Sequence, residues 1–199
     1  MNSRFFLSPV AKPALFVLAL LPFFWLLFAA VTNQLGANPA EALSRATGDW
    51  SLRLLCIVLA VTPLRVLTRI HALARFRRML GLFVYFYVLT HLLCYGWFDM
   101  GLDVADMARD IVKRPFILVG FAAALLLTPL ALTSFDRVIK AMGARRWVQL
   151  HRLVYLVACL AILHFFWMRA GKNNFSEVYA YAAVLGLLLG WRIVRAWRA

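Results

Sequence analysis

The stretch Arg145–Trp167, RRWVQLHRLVYLVACLAILHFFW, decides the reading of this chain, because it sets two histidines, His151 and His164, thirteen residues apart in an otherwise apolar run. The run reads as one helix, and at a rise of about 1.5 Å per residue the two imidazoles stand roughly 20 Å apart along its axis. That is about two-thirds of a hydrocarbon core roughly 30 Å thick, so one ring belongs near each membrane face. Lipid offers an imidazole no hydrogen-bond partner, which makes an ionisable group at such depth a mark of function.

The whole chain agrees with that placement. Its 199 residues are 64% hydrophobic, with a mean hydropathy of +0.81, a composition that belongs to membrane proteins rather than to soluble domains. The net charge of +14 does not point to nucleic acid, because the Lys and Arg residues cluster between apolar spans in connections too short to form a binding domain. Cys56, Cys94 and Cys159 all fall inside apolar spans, with no CxxC or CxxCH pattern among them, and read as small buried hydrophobes.

Six spans follow from the apolar runs: 13–31, 52–67, 79–98, 115–134, 148–168 and 176–197, each near the length needed to cross a bilayer. The first follows Arg4 and Lys12, as a signal peptide would, but its apolar run exceeds the about 7 to 15 residues of a cleaved leader, so it reads as a retained helix. Pro22 should loosen that helix. Residues 32–50 carry Asn33, Gly36, Asn38, Pro39, Gly48 and Asp49, and read as a loop with turn and break signals.

Orientation comes from the short connections. Arg65, Arg69, Arg75, Arg77 and Arg78 crowd one, and Arg137, Lys140, Arg145 and Arg146 another, whereas Asp99, Asp103, Asp106 and Asp110 mark the third loop. Positive residues stay cytoplasmic, so the expected architecture is an all-α, six-helix transmembrane bundle forming one domain over 1–199, with both termini in the cytoplasm. His164 then lies toward the outer face and His151 toward the inner. A weak internal echo, TPLRVLTR from Thr62 and TPLALTSFDR from Thr128, suggests two related helix pairs.

His91, in YFYVLTHLLCYGWF on the third span, and His164 on the fifth fall within about a helical turn of one another in depth. A pair of neutral imidazoles facing each other across a bundle suits the two axial positions of a b-type haem. The plainer reading makes each ring a packed polar group bonded to a backbone or hydroxyl oxygen. Zinc is disfavoured, because the usual Cys and carboxylate ligands and an HExxH pattern are missing. His151 has no such counterpart: thirteen or fourteen residues before His91 stand Arg78 and Arg77. A guanidinium stays protonated and ligates iron poorly, but it pairs well with haem propionates or a flavin phosphate; positive-inside topology accounts for the same arginines. His71 reads as a solvated residue of a cytoplasmic connection.

These residues resemble a known family. LLPFFWLLFA in the first span, AVTPL in the second, RRMLGLFVYFYVLTHLLCY in the third, RPFILVG and LTS in the fourth, and the long fifth-span string are similar to the haem-binding membrane subunits of the bacterial periplasmic protein-methionine-sulfoxide reductase system, within the ferric-reductase-like transmembrane superfamily. The resemblance covers nearly the whole chain. It implies a multi-pass inner-membrane electron carrier that is not an enzyme alone, with haem b (one or two) and FMN as cofactors. Its implied haem-associated residues are His91, His151 and His164, and its implied partner is a periplasmic molybdopterin-containing methionine-sulfoxide reductase catalytic subunit acting in repair of oxidised proteins. The chain departs from the superfamily's two pairs of histidines at Arg77 and Arg78. With no GxGxxG fingerprint, a quinol or a separate cytosolic flavin reductase is expected as donor. The competing expectation is a small non-redox transporter or anchor with packed or proton-relay histidines.

Overall fold

A computed structural model describes residues 3–171 and 173–198. Among them the chain forms ten α-helices: α1 (Ser3–Leu7), α2 (Ala11–Val31), α3 (Pro39–Thr68), α4 (Arg77–Cys94), α5 (Val104–Lys113), α6 (Pro115–Leu132), α7 (Asp136–Met142), α8 (Ala144–His151), α9 (Leu153–Ala170) and α10 (Ser176–Trp197). A 3-10 turn, His71–Phe76, leads into α4, and a π turn, Tyr95–Asp99, extends it. Six stretches are long and apolar enough to cross a membrane, matching the six expected spans. The helices cluster into two compact units, Met1–Leu102 and Asp103–Ala199.

In the first unit α3 and α4 form an antiparallel hairpin. Its two ends are tied by His91 against Ser44 and by Arg77 against Thr62. Thr68 ends α3 because Arg69 takes a left-handed conformation, φ 58°, the usual way a helix closes. Leu55, Leu59, Leu80, Val84 and Tyr87 are buried between the helices. The Tyr87 hydroxyl donates to the Ala19 carbonyl of α2 at 2.9 Å and accepts from the Phe23 N–H at 3.1 Å. Those two backbone groups are a helix's own i, i−4 pair, so the hydroxyl bridges the ladder beside Pro22, whose missing N–H already weakens it.

The second unit repeats the design with α6 and α9. Phe116 meets His164 at one end and Thr133 meets Trp147 at the other, which again fixes an antiparallel pair. Ala123, Ala124 and Ala158 are buried in it, and such small residues let two helix backbones approach in lipid, where close van der Waals packing replaces the hydrophobic effect. Val178 and Leu185 of α10 are also buried.

Three expectations need correction. Residues 32–50 are not all loop: α3 begins at Pro39, with Asn38 as its cap, the side chain accepting from the Glu41 N–H at 3.2 Å. Gly48 and Asp49 are therefore helical. The third loop holds a helix, α5, whose acids pair with nearby bases, Asp106 with Arg109 and Asp110 with Arg114. Cys56 and Cys94 are buried, but Cys159 is exposed on α9, because it lies off the face that carries buried Val157 and Ala158.

Candidate functional site

His91 lies near the end of α4, half-buried, with its ring against α3. Nδ1 is 2.8 Å from the Ser44 carbonyl oxygen. A carbonyl can only accept, so Nδ1 carries the proton and the ring's lone pair falls on Nε2, the nitrogen able to bind a metal. The same carbonyl also accepts from the Thr47 hydroxyl at 2.9 Å. The ring lies over Gly48: a β-carbon there would sit 3.2 Å from Cε1 and 3.3 Å from Nδ1.

His164 is held the same way in the other unit. Its Nδ1 is 2.6 Å from the Phe116 carbonyl oxygen of α6, so it too donates from Nδ1 and directs its lone pair onto Nε2. Here the ring presses on Gly120, where a β-carbon would meet Nδ1 at 2.7 Å and Cε1 at 2.8 Å. The Phe116 ring lies tilted beside the imidazole with centroids 6.1 Å apart. In both units the accepting carbonyl belongs to the residue four before the glycine, one helical turn away.

His151 has a different setting. It is the last residue of α8, where the helix tightens at Arg152 through i, i−3 bonds from Arg152 N to the Gln149 carbonyl and from Tyr155 N to the Arg152 carbonyl. The expected fifth span is one crossing stretch, Ala144–Ala170, with a local tightening at Arg152 between α8 and α9 beside the ring. His151 Nδ1 is 3.0 Å from the Trp147 carbonyl of its own helix, and the imidazole stacks on the Trp147 indole at 3.8 Å and 28°. The indole N–H in turn donates to the Thr133 carbonyl at 2.9 Å, fixing the stack against α6.

Arg77 and Arg78 open α4 and are both exposed. Arg77 reaches Thr62 Oγ1 at 3.4 Å, the level within its unit that corresponds to the Thr133 and Trp147 contact in the other. His71 is exposed in the 3-10 turn. Among the described residues no group of three or more His, Cys, Asp or Glu comes together. His91, His151 and His164 each have Nδ1 beside a backbone carbonyl, a usual partner of a ligating histidine.

The histidines stand out in the sequence, but the residues they pack on do not: Ser44 and Gly48 fall in the expected loop at 32–50, and Gly120 in an ordinary apolar span. The signal was present in the spacing: Gly48 and Gly120 are 72 residues apart and His91 and His164 are 73 apart, a closer repeat of the site than the two TPL strings, 66 apart. Trp147, which stacks on His151, stands one turn before it in the sequence.

Residues 47–162 match the family model described as ferric reductase like transmembrane component. The segment includes Gly48, His91, Gly120 and His151 and runs across the boundary between the two units. The chain is 71% identical over 196 residues, 98% of its length and 90% of the relative's, to the protein-methionine-sulfoxide reductase heme-binding subunit MsrQ of Polaromonas naphthalenivorans. It is 52% identical to the MsrQ of Ralstonia nicotianae, over 93% of this chain and 85% of that one. Magnetosome protein MamZ of Magnetospirillum gryphiswaldense is 43% identical over 94% of this chain but only 29% of its own length. No solved structure matches. A multi-pass membrane chain with this identity over nearly its full length belongs to the ferric-reductase-like transmembrane family and, within it, to the group that contains the MsrQ subunits.

Proposed function

We propose that the chain is the haem-binding, electron-carrying membrane subunit of a methionine-sulfoxide reductase system, with b-type haem held by His91 and His164 as axial ligands and with His151 serving a second, inner site. The observation that carries the reading is the matched seating of His91 and His164: each Nδ1 donates to a carbonyl of a neighbouring helix, which leaves the Nε2 lone pair as the metal-binding one. Two neutral imidazoles and an apolar lining are the donor set that non-covalent haem takes, so the residues fit the group. When bound, haem supplies a one-electron couple. The chain's part is to keep both rings neutral and in one tautomer, with the Phe116 ring beside His164. Arg77 and Arg78 would hold an anionic group, a haem propionate or the phosphate of FMN.

Both termini would then lie in the cytoplasm, with electrons entering at the His151 level from a quinol or a cytosolic flavin reductase and leaving at the level of His91 and His164 toward a periplasmic molybdopterin-containing catalytic subunit. The name shared by the relatives supports a reductase partner, and the acidic third connection supports the outward direction. The whole chain works as one transmembrane domain, a reading favoured by the family match that runs across both units.

The test is the reduced-minus-oxidised absorbance spectrum of the purified chain, expressed with ample haem, beside His91→Ala, His151→Ala and His164→Ala, with haem per chain quantified. Expected are b-type bands in the parent and their loss or reduction on changing His91 or His164, with a separate loss for His151→Ala if a second haem is present. A colourless parent that cannot be reconstituted overturns the reading and leaves a non-redox transporter or anchor.

A further inference from the structure

Seven glycines besides Gly48 and Gly120 have surroundings defined, and at every one of them a β-carbon would meet nothing within 4 Å: Gly36, Gly81, Gly101, Gly143, Gly171, Gly186 and Gly190. Gly48 and Gly120 alone in that set are backed by a side chain, and in both cases the side chain is a histidine ring. Glycine inside a helix costs up to about 1 kcal/mol relative to alanine, and at these two places the missing β-carbon has a use. Each ring lies flat enough on the glycine for Nδ1 to reach the carbonyl one turn earlier, Ser44 at 2.8 Å and Phe116 at 2.6 Å. A β-carbon would press on the ring, at 3.2 Å from His91 Cε1 at position 48 and at 2.7 Å from His164 Nδ1 at position 120.

We propose that Gly48 and Gly120 are positioning residues, paired seats whose missing side chains let His91 and His164 donate from Nδ1 to the Ser44 and Phe116 carbonyls and so hold each ring with Nε2 as the ligating nitrogen. This rests on the haem reading above. The two seats are unequally tight. An alanine β-carbon at 120 would fall 2.7 Å from Nδ1, inside any real contact, so the ring or the helix must move; at 48 the nearest atom is at 3.2 Å, and a displacement of a few tenths of an ångström accommodates it. The seats therefore act in a graded way, with the ring of His164 the more dependent.

The experiment compares Gly48→Ala, Gly120→Ala and Gly186→Ala in the full-length chain, the last being a helical glycine of α10 with open space around it. Haem per chain, low-spin electron paramagnetic resonance and the midpoint potential are read on the haem-loaded protein, and circular dichroism and thermal unfolding report the fold. Expected for Gly120→Ala is a displaced or lost low-spin signal with haem retention weakened about tenfold or more, the size typical of losing a partner that orients a metal-bound histidine. Gly48→Ala should keep its haem with a smaller shift of signal and potential, and Gly186→Ala should match the parent. A Gly120→Ala chain with the parent's haem content, resonance and potential overturns the proposal, as does equal damage from Gly186→Ala. If Gly120→Ala does not fold, Gly48→Ala decides: a displaced signal supports the seat, and a parent-like signal sinks it. Should the parent carry no haem, the haem reading fails, and isotope-labelled histidine in the haem-free chain still tests the seats. Nδ1-protonated His91 and His164 that lose this tautomer in the two alanine variants support them, and tautomers unchanged by either alanine reject them.

Discussion

His91 and His164 owe their chemistry to backbone atoms. A carbonyl accepts the hydrogen bond from Nδ1 and fixes the tautomer without adding charge. Tyr87 shows the same economy at another residue. It is fully buried, and its hydroxyl both donates and accepts within α2. Tyr87→Phe should destabilise the chain by about 1 to 2 kcal/mol, less than the loss of two bonds at full value, because Phe23 N–H and the Ala19 carbonyl can close on each other once the hydroxyl is gone. Equilibrium unfolding in mixed detergent measures it, and an unchanged midpoint would deny the bridge its role. The histidines were legible in the sequence because a polar ring in an apolar run stands out by composition alone. Gly48 was not, since a glycine beside an aspartate has the same local signature whether it breaks a helix or makes room for a ring.

At the scale of elements, α3 begins well before its apolar run, at a local start signal. Asn38, Pro39 and Glu41 form a complete N-terminal signature, with the cap side chain on the Glu41 N–H and proline in the first turn, and Glu41 pairs with Arg45 at 2.5 Å. The helix therefore starts there and runs through Gly48 and Asp49. Asn38→Ala should cost about 1 kcal/mol and loosen the first turns of α3, seen as faster amide exchange over residues 41–48 with α6 and α9 unaffected; protection unchanged in that stretch would mean the cap does not hold the helix start. α5 was hidden for the opposite reason. Four acids in a short polar stretch look like a solvated loop, yet Asp103 caps the helix by accepting from the Asp106 N–H at 2.9 Å, and the remaining acids on its polar side face Arg109 and Arg114 one turn away.

At the scale of the molecule, charge sets orientation. The connections around Arg65–Arg78 and Arg137–Arg146 are basic, and the one around Asp99–Asp110 is acidic. Reporter fusions at residues 72 and 143 should therefore behave as cytoplasmic and a fusion at residue 108 as periplasmic; the reverse pattern would turn the electron path around. The two units each build one histidine seat from an antiparallel helix pair, α3 with α4 and α6 with α9. The TPL echo marks this duplication only loosely: prolines near helix ends can shift along a helix at little cost, whereas each glycine and the ring over it stay in step, because the ring reaches the carbonyl one turn before that glycine.

By itself the amino-acid sequence determined the membrane class and the six spans and marked the histidines as candidates, because hydropathy and charge are sums over neighbouring residues and survive any detail of packing. Tertiary structure alone decided which atoms hold those histidines. The bond from His91 to Ser44 joins residues 47 apart, and that from His164 to Phe116 joins residues 48 apart. Whether such a bond forms depends on how two helices pack and on the room at Gly48 and Gly120, where a β-carbon would press on the histidine ring, a contact that exists only once the opposite helix is in place.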